Sequence, residues 1–206
     1  LVLDEDWGFV SVTEEDDLGA MAPNVIGDWV FVQVNTGTPK PMPVWAISAV
    51  DSSERFVIRP FEDIETRFSF GVAHGAFDTA SGLLYTADTG TGYVSAMTFD
   101  PENGFELVWR EEQTTSVFMQ LIGPADARVI VTSELVNIPH RLTPFAILGT
   151  TNEQVVFRNA ATGQELARTG NLPRMSQGAN ISPGFGGRVY FPAVDGRIYE
   201  VTVQSE

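Results

Sequence analysis

The sequence predicts an all-β chain built from a repeated four-stranded antiparallel unit. Three observations predict it. Short apolar runs alternate with period two and are rich in β-branched and aromatic residues, as in Trp29-Val30-Phe31-Val32-Gln33-Val34 and Arg197-Ile198-Tyr199-Glu200-Val201-Thr202-Val203. No longer window carries a capped helical pattern, and the acidic Thr13–Leu18 stretch holds one helical turn at most. Finally, a turn followed by a strand recurs four times: Gly27-Asp28-Trp29-Val30-Phe31-Val32, Ser81-Gly82-Leu83-Leu84-Tyr85-Thr86, Asp126-Ala127-Arg128-Val129-Ile130-Val131 and Gly186-Gly187-Arg188-Val189-Tyr190-Phe191.

Aligning Trp29, Leu83, Arg128 and Arg188 gives spacings of 54, 45 and 60 residues. Each turn is preceded by a first strand, near Asn24-Val25, Ala76-Phe77, Gln120-Leu121 and Asn180-Ile181. Each is followed by a third, at Val44–Ile47, Tyr93–Met97, Gln154–Phe157 and Gly196–Tyr199. A fourth follows in the first three repeats, at Arg55–Ile58, Phe105–Trp109 and Gln164–Ala167. Such a unit is the blade of a β-propeller, whose sheets bury their faces against their neighbours. The expected fold is a single propeller domain or propeller fragment over residues 1–206, with about four blades visible, at 20–62, 68–113, 114–169 and 174–203.

The last repeat ends after three strands, and Gly8–Val12 supplies a spare one. Either that strand completes the last blade and closes a small ring, or it belongs to a preceding blade outside the chain. A terminal blade without its outer strand exposes unpaired backbone groups. The expectation is therefore that the ring is larger and is completed by other sequence or another subunit.

Charge and composition narrow the function. Acidic residues outnumber basic ones 27 to 12, for a formal net charge of −15. Nucleic acid and anionic membranes demand the opposite sign, so neither is an expected partner. With no cysteine, disulfides, thiolate metal sites and cysteine nucleophiles are excluded. No apolar run is long enough to form a transmembrane helix.

The turns carry a family resemblance. Arg158-Asn159-Ala160-Ala161-Thr162-Gly163-Gln164-Glu165-Leu166 resembles the turn of PQQ-like, or quinoprotein-type, β-propeller repeats. Phe99-Asp100-Pro101-Glu102-Asn103-Gly104 leads in the same way to Trp109, which stands at the family's docking position. Ser182-Pro183, Gly186-Gly187-Arg188-Val189-Tyr190 and Asp195-Gly196-Arg197-Ile198-Tyr199 are similar to the family's core strands. The first repeat departs from the pattern, with Val50-Asp51-Ser52-Ser53-Glu54 in place of a Thr-Gly turn. The resemblance implies inter-blade docking by Trp109. It also implies, as one possible activity, quinone-dependent dehydrogenation with PQQ and calcium. No position matches the family's catalytic aspartate. Asp88 and Asp195 lie in turns that the repeat itself explains, and Gly90-Thr91-Gly92 reads as a hairpin turn.

Polar residues on or near the first strands are the candidate ligand or partner site: Asn24, His74, Gln120, Gln177 and Asn180. Inner strands line a propeller's channel, where ligands bind. The competing reading is that they satisfy crowded backbone groups. His140 reads as a loop residue, and the acidic clusters near the N-terminus read as a solvated face without a calcium-loop pattern. Two long second-to-third-strand connections, Thr36–Pro43 and Ser133–Asn152, should emerge on one face. The second carries Phe145, Ile147 and Leu148, an apolar run that points to a contact surface. The favoured function is a non-catalytic extracytoplasmic scaffold that binds a protein partner as a subunit or assembly factor and needs no cofactor. The alternative is a quinone-dependent oxidoreductase fragment.

Overall fold

A computed structural model describes residues 7–8, 10–14, 17–66, 68–70, 75–115, 118–136, 150, 152–176 and 179–202. Among them the fold is all-β, in four antiparallel sheets that follow one another along the chain. Sheet 1 contains β1 (Gly19–Ala20), β2 (Asn24–Ile26), β3 (Trp29–Asn35), β4 (Val44–Ser48) and β5 (Arg55–Ile58). Sheet 2 contains β6 (Ala76–Asp78), β7 (Leu83–Asp88), β8 (Tyr93–Asp100) and β9 (Gly104–Glu112). Sheet 3 contains β10 (Gln120–Ile122), β11 (Val129–Leu135), β12 (Asn152–Asn159), β13 (Glu165–Arg168) and β14 (Leu172–Pro173). Sheet 4 has three strands, β15 (Ser182–Pro183), β16 (Val189–Pro192) and β17 (Ile198–Val201).

The strands alternate in burial because successive side chains point to opposite faces. In β3, Trp29 and Phe31 face sheet 2 and join Val44, Ala46 and Phe56 of their own sheet against Leu84, Met97, Phe99 and Phe105. Tyr85, Ala87, Ala96 and Trp109 of sheet 2 pack with Ile130 and Ala160 of sheet 3. Val131, Val155 and Phe157 of sheet 3 pack with Val189, Phe191 and Ala193 of sheet 4. Three apolar seams thus join four sheets in chain order. β10 lies beside both β6 and β15, and β5 beside β9.

One turn chemistry closes the third-to-fourth-strand hairpin three times. The Asp100 carboxylate accepts from the amides of Glu102 and Asn103 at 2.9 and 2.8 Å. The Asn159 side chain accepts from those of Ala161 and Thr162 at 2.9 and 3.1 Å. Gly104 and Gly163 then take the positive φ, 83° and 74°, that L-residues avoid. In sheet 1, Ser48 does the same work, its hydroxyl oxygen accepting from Val50 and Asp51.

Two expectations shift. Gly8 and Val10–Val12 form no strand; the first strand begins at Gly19. Trp7 instead donates its indole N–H to the Ser48 carbonyl at 3.0 Å, at one end of sheet 1, while Glu14 pairs with Lys40 at the other. Between them Val10 and Val12 are half-buried and Ser11 and Thr13 exposed. Residues 10–13 have a strand's alternation, yet none of them belongs to a strand among the described residues. The last first strand is Ser182–Pro183 rather than Asn180-Ile181; Ile181 is instead buried in the seam between sheets 3 and 4.

Candidate functional site

Of the candidate residues, Asn24, Gln120 and Asn180 are described; His74, Gln177, Phe145, Ile147 and Leu148 lie outside the described residues, as does His140. Asn24 sits on β2 opposite Phe31. It lines a cleft between sheets 1 and 2 with Met21, Gln33, Gly75 and Thr86. The cleft holds about 300 Å3 with its open mouth included, but its enclosed room is about 20 Å3, too little for a small-molecule ligand. Its polar floor is committed to the seam: Thr86 donates to the Gln33 carbonyl oxygen, and the Gln33 amide donates to the Ala87 carbonyl at 3.4 Å. Gln120 lies on β10 opposite Val131, half-buried, and Asn180 stands half-buried just before β15. Because β10 adjoins β15, Gln120 on β10 and Asn180, two residues before β15, lie on neighbouring stretches of chain, while Asn24 is on sheet 1.

A second arrangement lies where each outer strand hands over to the next sheet. These linkers are hydrogen-bonded to the sheets on both sides. In the first, Ser69 donates its amide to the Thr38 carbonyl of sheet 1's long loop, and Gly37 donates to Ser69. The Thr89 amide of sheet 2 donates to Phe70 in the same linker. In the second, Gln113 donates its amide to Gly92 of sheet 2, and Leu135 of sheet 3 donates to Thr114. In the third, the Met175 amide reaches the Glu153 carboxylate of sheet 3 at 3.2 Å, while Ser176 donates to Pro192 of sheet 4. The loop over 36–43 and the stem of the loop after Val136 therefore lie on one face, with the linkers.

Two buried carboxylates sit in this belt and differ. Asp88 accepts from the Ser69 hydroxyl and from the amides of Phe70, Gly90 and Thr91. Burial nevertheless pushes its carboxyl above the ordinary aspartate range. Those bonds make Asp88 the peg that fixes linker and hairpin together. Glu153 is as buried but has one oxygen bonded to Met175 and the other, Oε2, bonded to nothing. The nearby Ser133 hydroxyl approaches it without hydrogen-bond geometry and is itself unpartnered. Burial pushes Glu153 up as well, with Ser133 and the Met175 amide offsetting part of the rise.

Sequence reasoning named Asp88 only as a turn residue and did not single out Glu153. In Asn152-Glu153-Gln154-Val155-Val156-Phe157 a glutamate at the head of a strand reads as solvent-facing. Its neighbours come from further on: Leu172 of β14 pairs beside it, and the Met175 amide, 22 residues on, bonds its carboxylate. Among the described residues no group of three or more His, Cys, Asp or Glu side chains is placed to hold a metal ion. No helix among them is long and apolar enough to cross a membrane.

No protein-family model matches the chain, and no curated protein matches it. In fold it is similar to the crystal structure of the computationally designed Ika4 protein, at 10% identity and a TM-score of 0.55, over 94% of this chain and 95% of that one. At that identity the likeness speaks to fold alone: a β-rich arrangement of comparable extent.

Proposed function

We propose that the four sheets are blades of a β-propeller of the PQQ-like repeat kind, and that the protein is a non-catalytic, extracytoplasmic scaffold that binds a protein partner. The carrying observation is the linker belt. It fixes the loop over 36–43 and the stem of the second long loop on one face, and hydrogen bonds hold that face across three seams. A rigid frame presenting loops on one side suits recognition, since loops carry contacts and the frame limits the entropy lost on binding. Sheet order supports the blade reading: inner strands adjoin inner strands and outer strands adjoin outer ones. Completion of the ring by further blades belongs to the same proposal. Light scattering showing a monodisperse particle of one chain's mass, with cooperative unfolding, would overturn that part.

The experiment replaces residues 137–149 with a short turn. Leu135 is buried in β11, so the replacement starts beyond it. The expected result is an unchanged thermal midpoint with loss of the cross-links that the intact chain makes to its partner. Retained cross-links would refute the loop face. Dye reduction after reconstitution with PQQ and calcium would instead establish the oxidoreductase reading.

A further inference from the structure

The seam between sheets 2 and 3 contains a second cleft, at the end of the sheets opposite the linkers. It holds about 330 Å3, mouth included, and is lined by Asp78, Ser81, Tyr85, Asp126 and Arg128 with the turn at Asn159–Ala161. Its chemistry is unbalanced. Tyr85 is wholly buried, yet its hydroxyl has no hydrogen-bond partner. Ser81 approaches the phenol without bonding to it, because its own proton goes to Asp78 Oδ2 at 2.7 Å. Burial pushes the phenol up to about 12, so it keeps its proton and remains a donor.

Arg128 brings a second, partly exposed donor to the cleft. Its Nε reaches Asp78 Oδ1 at 3.4 Å, long for a charge-assisted bond, and its Nη1 donates to the Gly123 carbonyl. Nη2 donates to nothing among the described residues. Asp78 is 2% exposed and also accepts from the Ala80 amide at 3.2 Å. A buried hydroxyl left without an acceptor costs about 1–3 kcal/mol, so such groups mark a place where something else bonds.

Charge selects the occupant. An anion would meet Asp78 and Asp126, and a cation would meet Arg128. A neutral molecule that both accepts and donates fits all of them. We propose that this cleft binds a small polyhydroxylated molecule, a polyol or one saccharide residue, with one hydroxyl oxygen accepting from Tyr85 and Arg128 and a hydroxyl proton donated to a carboxylate. The site is separate from the linker face and independent of the scaffold reading.

The test titrates 15N-labelled protein with glycerol and with D-glucose, and in parallel with acetate and ethylammonium. Saturable shifts at the amides of Ala80, Ser81, Ala160 and Ala161 are expected at millimolar polyol and not with either ion. Tyr85→Phe should weaken that binding about tenfold, the worth of one sheltered hydrogen bond, without lowering the thermal midpoint. Arg128→Gln serves as the second variant should Tyr85→Phe fail to fold, and the same loss is expected. Absence of saturable shifts with both polyols, equal shifts with acetate, or unchanged binding by the folded variant would overturn the proposal.

Discussion

The seam between sheets 1 and 2 and the seam between sheets 2 and 3 fill the same wedge by different means. The first is a cluster of rings. Phe99 stands 4.7 Å from Trp29, 5.2 Å from Phe31, 5.0 Å from Phe105 and 5.7 Å from Phe56, mostly edge to face. The second has one large anchor. Trp109 lies against Tyr85 at 6.1 Å and donates its indole N–H to the Ala160 carbonyl at 3.0 Å, among small neighbours such as Ala87 and Ala96. A shared cluster can close over a lost ring. A single indole pinned by its own hydrogen bond has no such cluster to close over its loss.

The largest expected effect follows directly. Trp109→Ala should cost about 3–5 kcal/mol in urea unfolding, because the indole is nearly buried in the seam and its hydrogen bond to the Ala160 carbonyl goes with it. A loss under about 0.5 kcal/mol would mean that sheet 3 does not rest on this residue.

Next come the turn glycines, which repeat one device. A Cβ on Gly163 would stand 2.7 Å from the Trp109 ring, and one on Gly104 would stand 2.8 Å from the Phe56 ring. Each sheet's turn therefore abuts the aromatic residue of the sheet before it. Both alanine variants meet a positive φ, worth about 1–2 kcal/mol. Gly163→Ala should cost roughly 1 kcal/mol more than Gly104→Ala, since the bonded indole cannot move aside and a ring in the cluster can. Equal losses by differential scanning calorimetry would erase the contrast between the seams. Smaller again is Phe56→Leu, expected to cost about 1 kcal/mol as the cluster closes over it. A loss as large as that of Trp109→Ala would show that the cluster is not redundant.

Much of this was legible in the chain. Trp109, the turns at Asp100–Gly104 and Asn159–Gly163, and the strands at Val44–Ser48 and Arg55–Ile58 follow from side chains that act within a few residues of themselves. That Val10–Val12 form no strand was not legible, because pairing depends on what lies beside a segment rather than on its own alternation. Nor was the Tyr85 cleft, which joins Asp78 to Arg128 across 50 residues of sequence. The burial of Glu153 was hidden for the same reason.

Glu153 gives a prediction of similar size and opposite sign. Its folded-state pKa is raised from 4.5 by burial, so the unfolded chain gives up its proton first as pH rises. The stability linked to the protonated form is full below that value and is lost as pH climbs through the folded pKa. Glu153→Gln should therefore stabilise the protein at pH 8 by about 1 kcal/mol, the order of an unmet buried polar group, and by less at pH 4. Urea midpoints that fall equally at both pH values would show that Oε2 is satisfied in solution.

The double attachment of each linker also sets how the molecule comes apart. Among the described residues each sheet packs against its neighbours in chain order, so within this stretch sheets 2 and 3 are held from two sides and sheets 1 and 4 from one. Amide exchange under native conditions would then be graded by position, slowest in β7 and β8 of sheet 2 and fastest in β16 and β17 of sheet 4. A pull on the C-terminus would peel sheet 4 away as one cooperative event and leave the first two seams intact.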